Sequence, residues 1–309
     1  MNLTIFTAPK PFLDPHINLI QRNALRSWLQ LGDQVRVVMV GDEAGMAEVA
    51  AEYGILHIKG VRLSAYGTPL IPSIFELARQ AYDSPLLAYI NADILLLPDF
   101  FTMAQQVAEQ RSQFLIVGQR WDLNIREALG FSPGWEARLR TRLEAEGKLH
   151  PPTGSDYFIF PRQCYLYIPD LAVGRSMWDN WMIYHARKSG WAVVDATSAA
   201  TVIHQDHDYS HLPNGLPHYR QPETVVNIQL AGGKRRALRL TDADHTLVNG
   251  KVVSKPWTLK RILRAIEVFP IVQLNSYPLA QLFFAIFHPV RAFRKTRRWL
   301  RRKLKTLLK

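Results

Sequence analysis

The sequence predicts an α/β fold, a doubly wound and mostly parallel sheet, with a basic helical appendage at its C-terminal end. Three observations carry this expectation. Short apolar, β-rich runs alternate with helical patterns through the first half of the chain, the pitch of βα units. Residues 85–98 form a nearly unbroken apolar run, the mark of a parallel strand covered on both faces. The charge is uneven: residues 255–309 carry 14 of the 38 Lys and Arg but one of the 26 acids, Glu267. The remaining 24 bases and 25 acids leave residues 1–254 near neutral, although the whole chain carries a formal charge of +12. We therefore read 1–254 as the α/β domain and 255–309 as an amphipathic basic tail.

In order, the patterns predict strands near 3–7, 35–40, 55–58, 86–90 and 114–117, with helices at 15–31, 43–53, 71–82 and 99–111 between or after them. Residues 119–161 read as irregular and aromatic, with a charged helix near 135–146 and an aromatic strand after Asp156. Loops of that length in a compact domain usually carry function. A helix at 177–189, strands at 191–195 and 200–204, a His-rich loop to 222, and a last helix with short strands to 253 complete the domain. With 309 residues, 48% of them apolar, a large core is available. The single cysteine, Cys164, excludes an intramolecular disulfide framework and a multi-cysteine zinc site. The first residues read as a strand rather than a signal peptide, so the expected location is cytoplasmic.

Candidate chemistry lies at the ends of these strands, where open α/β sheets bind ligands. The apolar run leads into Asn91-Ala92-Asp93, whose side-chain oxygens, spaced two apart, suit a hard cation holding a diphosphate; the same residues also favour a plain turn. Strand one ends in Thr7-Ala8-Pro9 and strand two in Gly41-Asp42, so Thr7, Ala8 and Asp42 are candidates for lining a nucleobase and ribose slot. Gly-x-Gly-x-x-Gly and Gly-Lys-Ser/Thr are absent there, which argues against dinucleotide and P-loop binding. Gly154-Ser155-Asp156 joins a turn to an acid that is able either to bind hydroxyls or to satisfy local amides. In Trp178-Asp179-Asn180 the carboxylate is either a helix-start residue or, facing a cavity between aromatic walls, a general base. Three His and two Asp fall between His204 and His211, a mixture suited to a manganese-type site.

Taken together, Thr7-Ala8-Pro9, Asp42, Asn91-Ala92-Asp93, Gly154-Ser155-Asp156, Trp178-Asp179-Asn180 and His204 resemble nucleotide-sugar glycosyltransferases of the GT-A (Rossmann-like) fold over about residues 1–230. The resemblance implies a nucleotide-diphosphate sugar as donor, a glycan or lipid-linked acceptor, and Mn²⁺ or Mg²⁺ held by Asp93 and His204. It also implies donor contacts from Thr7, Ala8, Pro9, Asp42, Asn91 and Asp93. Sugar or acceptor contacts would come from Gly154, Ser155, Asp156, Trp178 and Asn180, and Asp179 would act as base. The chain departs from the pattern at Asn91, where such enzymes have Asp, and the lost charge weakens the expected metal site. Two other readings stand beside this one: a metal-dependent hydrolase centred on 204–211, and a sugar-nucleotide-binding protein with a degenerate site.

The tail adds a partner. Residues 268–290 are apolar but interrupted by polar residues and prolines, unlike a spanning helix. Residues 291–309 hold ten Lys and Arg and no acid, with an apolar stripe at helical spacing. That pattern describes a helix lying on anionic lipid, with Phe293, Arg297, Arg298, Trp299, Leu300, Arg301, Arg302 and Leu304 as contacts and nucleic acid as the less favoured partner.

Overall fold

The computed structural model describes residues 2–207, 219, 221–294 and 297. Its strands are β1 Leu3–Thr7, β2 Val35–Val40, β3 Leu56–Ile58, β4 Leu86–Ile90, β5 Ile94–Leu96, β6 Phe114–Val117, β7 Trp121–Leu123, β8 Lys148–Leu149, β9 Tyr157–Pro161, β10 Ala192–Asp195, β11 Val202–Gln205, β12 His245–Val248 and β13 Lys251–Ser254. Its helices are α1 Pro15–Leu29, α2 Met46–Tyr53, α3 Ile71–Ala81, α4 Asp99–Ala108, α5 Trp135–Glu146, α6 Trp178–Lys188, α7 Pro222–Leu230, α8 Leu259–Val272 and α9 Tyr277–Phe287.

Among the described residues the main sheet runs β13-β12-β10-β6-β9-β4-β1-β2-β3. β9 pairs antiparallel with β4 and β6, and β13 antiparallel with β12; the other neighbours are parallel. The fold is therefore α/β with a mostly parallel sheet, as the patterning predicts. Side chains of the buried strands alternate between two cores. Leu86, Ala88 and Ile90 of β4 join α1, α2 and α4 through Trp28, Val49 and Met103. Leu87 and Tyr89 face the opposite way, onto Phe75 of α3 and Met182 of α6. Both faces are thus covered by helices, which is why β4 reads as a continuous apolar run.

That run hides a corner. Residues 85–98 form two strands in different sheets, with Asn91-Ala92-Asp93 as the turn between them. β5 belongs to a small second sheet ordered β5-β11-β7-β8, packed on α5 through Leu95, Leu123, Leu139 and Ile203. β5, β7 and β8 are two or three residues long, too short for alternation to announce them. Several helices also start or stop short of the sequence reading. α2 begins at Met46 rather than 43, after Gly45 at φ +85, and α4 ends at Ala108 rather than 111.

Beyond residue 254, α8 and α9 fold back onto the main body. Ile271, Val272 and Ala280 are buried in the second core, Arg264 pairs with Asp242, and Lys255 Nζ lies 2.6 Å from Asp195. Among the described residues no helix is long and apolar enough to cross a membrane.

Candidate active site

The two sheets meet around a cleft of about 920 Å³ at the C-terminal edge of β1 and β4. Strand pairing explains its chemistry. In the small sheet His204 of β11 lies opposite both Ile94 of β5 and Asp122 of β7. The turn residue Asp93 is thereby brought beside His204 and Asp122, and Gln205 fixes the junction by donating its backbone N–H and its side-chain amide to the Asp93 carbonyl, each at 3.2 Å.

Asp93 is buried. Its Oδ2 lies 3.1 Å from His207 Nε2 and 3.6 Å from Lys10 Nζ, while its Oδ1 is buried with no hydrogen-bond partner. Burial opposes its ionisation, yet the His207 hydrogen bond and the charges of Lys10 and the two histidines hold it well below the usual carboxylate range. His204 Nδ1 is likewise buried without a hydrogen bond, 3.4 Å from Asp122 and 3.6 Å from Asp206. Burial works against its charge, but those two carboxylates, with Asp93 beyond, push it up to about 9. Ligand atoms of Asp93, His204 and His207 all lie within 4.8 Å of one another, as do those of Asp122, His204 and Asp206. Asp93 Oδ1, buried and unbonded beside two imidazoles, makes the first of these a mixed O/N set that fits a borderline divalent cation such as Mn²⁺.

Asn91 lines the same cleft and commits its amide nitrogen to a neighbouring acid. Its Nδ2 donates to Asp156 Oδ1 at 2.9 Å, and its backbone N–H donates to the Asp156 carbonyl at 2.9 Å. Asp156 Oδ2 accepts from Arg120 Nη1 at 2.6 Å, and Arg120 Nε reaches Asp122 at 2.9 Å. Asp122 is also met by His150 Nδ1 at 2.7 Å. Asn91 thus gives its amide nitrogen to a carboxylate, a bond that an Asp in its place has no N–H to make and that does not engage its side-chain oxygen.

Across the same cleft lies Asp179 in the first turn of α6. Met177, at φ +98, sets the sharp entry to that helix. Asp179 Oδ1 is buried with no hydrogen-bond partner. Burial, reinforced by the nearby Asp156 charge and only partly offset by backbone N–H groups, pushes its carboxyl up to about 6. Trp178 packs edge-on to Tyr89 at 5.1 Å and against Phe158 at 5.0 Å, which fixes the helix start. Asn180 lines the cleft but spends its amide on the Leu238 carbonyl at 2.9 Å. Arg175, paired with buried Glu223 at 2.8 Å, closes the adjoining wall.

The other expected residues divide. Ala8, Pro9, Gly154, Ser155 and Asp156 line the cleft, and a Cβ added at Gly154 would meet nothing within 4 Å, so its neighbourhood is open. Thr7 is wholly buried in β1 and does not line it. Asp42 is exposed and accepts from the Gly60 amide at 2.8 Å, and Glu43 lines the cleft in its place. Phe293 and Arg297 are exposed, whereas Arg298, Trp299, Leu300, Arg301, Arg302 and Leu304 lie outside the described residues, as do Asp208 and His211. Lys10, Arg120, Asp122 and His150 line the cleft without having been singled out in the sequence, and His207, one of the histidine cluster read there, lies beside Asp93. Lys10 had one local signal, its place directly after Thr7-Ala8-Pro9, and buried Gln21 of α1 clasps its backbone from both sides.

No family model matches the chain, and no curated protein matches it. Among solved structures it is similar to Mycobacterium tuberculosis glucosyl-3-phosphoglycerate synthase in complex with Mn²⁺, uridine diphosphate and glucosyl-3-phosphoglycerate. That match has 13% identity over 84% of this chain and 88% of that one, with a TM-score of 0.47. It is also similar to S. aureus TarS 1-349 in complex with UDP, at 11% identity over 93% and 70% of the two chains and a TM-score of 0.43. Against TarS 1-349 in complex with UDP-GlcNAc the match has 14% identity over 41% of this chain, with a TM-score of 0.32. There the chain spans only 37% of the TarS length, and 58% in a further TarS 1-349 structure.

Proposed function

We propose that the chain is a glycosyltransferase that moves a sugar from a nucleotide-diphosphate donor to an acceptor hydroxyl. One observation carries the reading. A single cleft holds two overlapping sets of possible cation ligands that share His204, with Asp93 Oδ1 buried and unbonded, together with Asp179, whose Oδ1 has no hydrogen-bond partner. Asp93, His204 and His207 are the residues that would hold Mn²⁺ or Mg²⁺. When bound, the cation supplies positive charge to the leaving diphosphate.

The chain's own residues do the rest. Lys10 adds a fixed cation beside Asp93 for the phosphate oxygens. Ala8 and Pro9 border the donor slot, and the Asn91–Asp156–Arg120–Asp122 chain keeps the floor rigid while Asp156 and Ser155 face the sugar or acceptor. The acceptor oxygen attacks the anomeric carbon, the carbon–phosphate-oxygen bond breaks with its electrons going to the diphosphate, and the acceptor proton passes to Asp179. A carboxyl raised to about 6 is a stronger base than an ordinary one and still ionised at neutral pH.

Membrane docking fits the C-terminal part. α8 and α9 expose Ile262, Phe269, Leu282 and Ile286, and the sequence beyond them is basic, so the acceptor is reached at a membrane surface. A metal-dependent hydrolase is the second reading, favoured by the overlapping set Asp122, His204 and Asp206. It is weaker because Asp122 is already committed to Arg120 and His150.

The deciding experiment is calorimetric titration of UDP, GDP, CDP and dTDP into the purified chain, with and without Mn²⁺, alongside Asp93→Asn. Manganese-dependent binding of one nucleotide, lost in the variant, is the expected result. Silence from all four, with phosphoester hydrolysis that survives Asp93→Asn, would establish the hydrolase instead.

A further inference from the structure

A second cavity, about 470 Å³, lies between the segment 234–241 and the α8–α9 hairpin, away from the cleft just described. Its charge is lopsided. Lys234, Arg235, Arg239, Arg264, Arg291 and His288 line it against one acid, Glu267. Glu267 is already shared by Arg264 at 2.9 Å and His288 at 3.1 Å, and Arg264 is further clamped by Asp242 at 2.7 and 3.0 Å. Among the described residues, no carboxylate lies within ion-pair distance of Lys234, Arg235, Arg239 or Arg291. Arg235 stacks its guanidinium on Phe284 at 3.6 Å, and its Nε is buried with no hydrogen-bond partner.

Lys234, Arg239 and Arg291 are exposed on one wall with no carboxylate in ion-pair distance, and the Arg235 Nε N–H, desolvated and unpaired although Glu267 acts on its guanidinium, adds a cost of its own. An anion with several oxygens relieves both at once. Guanidinium forks match the geometry of phosphate, and a lysine adds a point charge. The remaining wall is apolar, formed by Val268, Ile271, Ala280 and the Phe284 ring. Just outside it, Ile262, Ile266 and Phe269 of α8 and Leu279, Leu282 and Ile286 of α9 are exposed at spacings of three and four residues, one stripe on each helix.

We propose that this cavity binds the phosphate group of a phosphate ester, with the apolar stripes beside it favouring the headgroup of an anionic lipid over a soluble ester. The site is separate from the transferase cleft, and its preference for lipid rests on the membrane docking proposed above for α8 and α9. A structural link connects the two regions. The segment that supplies Lys234, Arg235 and Arg239 also holds Leu238, whose carbonyl accepts from Asn180, the residue after Asp179.

The full chain is tested in two ways. Inorganic phosphate and glycerol 1-phosphate are titrated calorimetrically, and sedimentation is measured with phosphatidylcholine vesicles with and without phosphatidylglycerol. The variants are Arg235→Gln and the double variant Lys234→Gln/Arg239→Gln, whose side chains are exposed and removable without loss of packing. Arg36→Gln/Lys59→Gln removes two exposed charges elsewhere as the control, and thermal melts confirm folding of each. The expected result is a loss of about tenfold or more in phosphatidylglycerol-dependent partition for the cavity variants and not for the control. If soluble phosphate binds and is weakened in the cavity variants while vesicle partition is unchanged, the site takes a soluble ester. If neither phosphate nor phosphatidylglycerol distinguishes the cavity variants from the control, the proposal is overturned.

Discussion

Two carboxylates of the cleft, buried Asp93 and half-buried Asp179, are displaced in opposite directions. Asp93 sits among His204, His207 and Lys10 and is held far below the usual range, so it stays ionised. Asp179 has no cation beside it and feels Asp156 instead, so burial pushes it up to about 6. On the proposed reading, two residues of one type take two roles, a permanent negative charge and an exchangeable proton site. Environments that drive paired acids apart in this way are how acid–base assignments are recognised. The contrast also predicts which changes should matter, and by how much.

The largest effect is expected at the charged pole. Asp93→Asn removes the negative ligand and leaves His207, His204 and Lys10 facing a neutral amide. Divalent-dependent nucleoside diphosphate binding should fall below detection, and release of nucleoside diphosphate from a sugar nucleotide should drop about 10³-fold or more. Calorimetry with and without Mn²⁺ measures the first and a phosphate-coupled assay the second. Unaltered binding would remove Asp93 from the site.

Asp179→Asn should act differently. Binding should persist while turnover falls by about 10²–10⁴, the range for losing a general base. In the native chain the rate should rise with pH through about 6, because the base works only when ionised, and the variant should lose that limb. Stability runs the other way. A folded value of about 6 lies above the unfolded one, so the folded state holds this proton more tightly. The stability it contributes is present at pH below about 4 and is lost as pH rises through 6. At pH 7 the Asn variant should therefore be more stable, by roughly 1–2 kcal/mol after solvent screening. Denaturant titration at pH 5 and pH 7 checks the sign. A variant that is both less active and less stable at pH 7 would make Asp179 a structural helix-start residue.

How much of this was legible in sequence follows the same division between local and long-range features. Asp93 and Asp179 are readable because each is announced by its own neighbours, an apolar strand in one case and a helix start between tryptophans in the other. The parallel order of β1, β2 and β4 is likewise written in alternating runs. Arg120, Asp122 and His150 are not announced, because they reach the site through β7 and β8, strands of three and two residues whose partners are distant in sequence. Thr7 and Asp42 do not line the cleft for a related reason. The end of a strand is readable, but the direction of a side chain beyond it depends on contacts such as Gly60 to Asp42.

His207 tests the share of the charged pole that comes from the histidines. Its Nε2 lies 3.1 Å from Asp93 and 3.2 Å from Lys10 Nζ. One nitrogen cannot both donate to the carboxylate and accept from the ammonium. His207→Gln should weaken divalent-dependent nucleotide binding by about 10–100-fold, less than Asp93→Asn, with metal-independent binding little changed. Equal loss in both variants would mean that the histidine is as essential as the acid.

The smallest effect is expected at Asn91, the junction between the poles. Its amide donates to Asp156, which also holds Arg120. Asn91→Asp would place two carboxylates at hydrogen-bond distance, where both cannot stay ionised. The variant should lose about 1–2 kcal/mol at pH 7 and recover part of it as pH falls toward 5, when one shared proton restores a donor between them. Thermal midpoints across that range measure the slope. If Asn91→Asp instead tightens Mn²⁺ binding without a stability cost, the amide is facing the cation set rather than Asp156, and the division of the cleft into one charged pole and one proton-accepting pole fails at its centre.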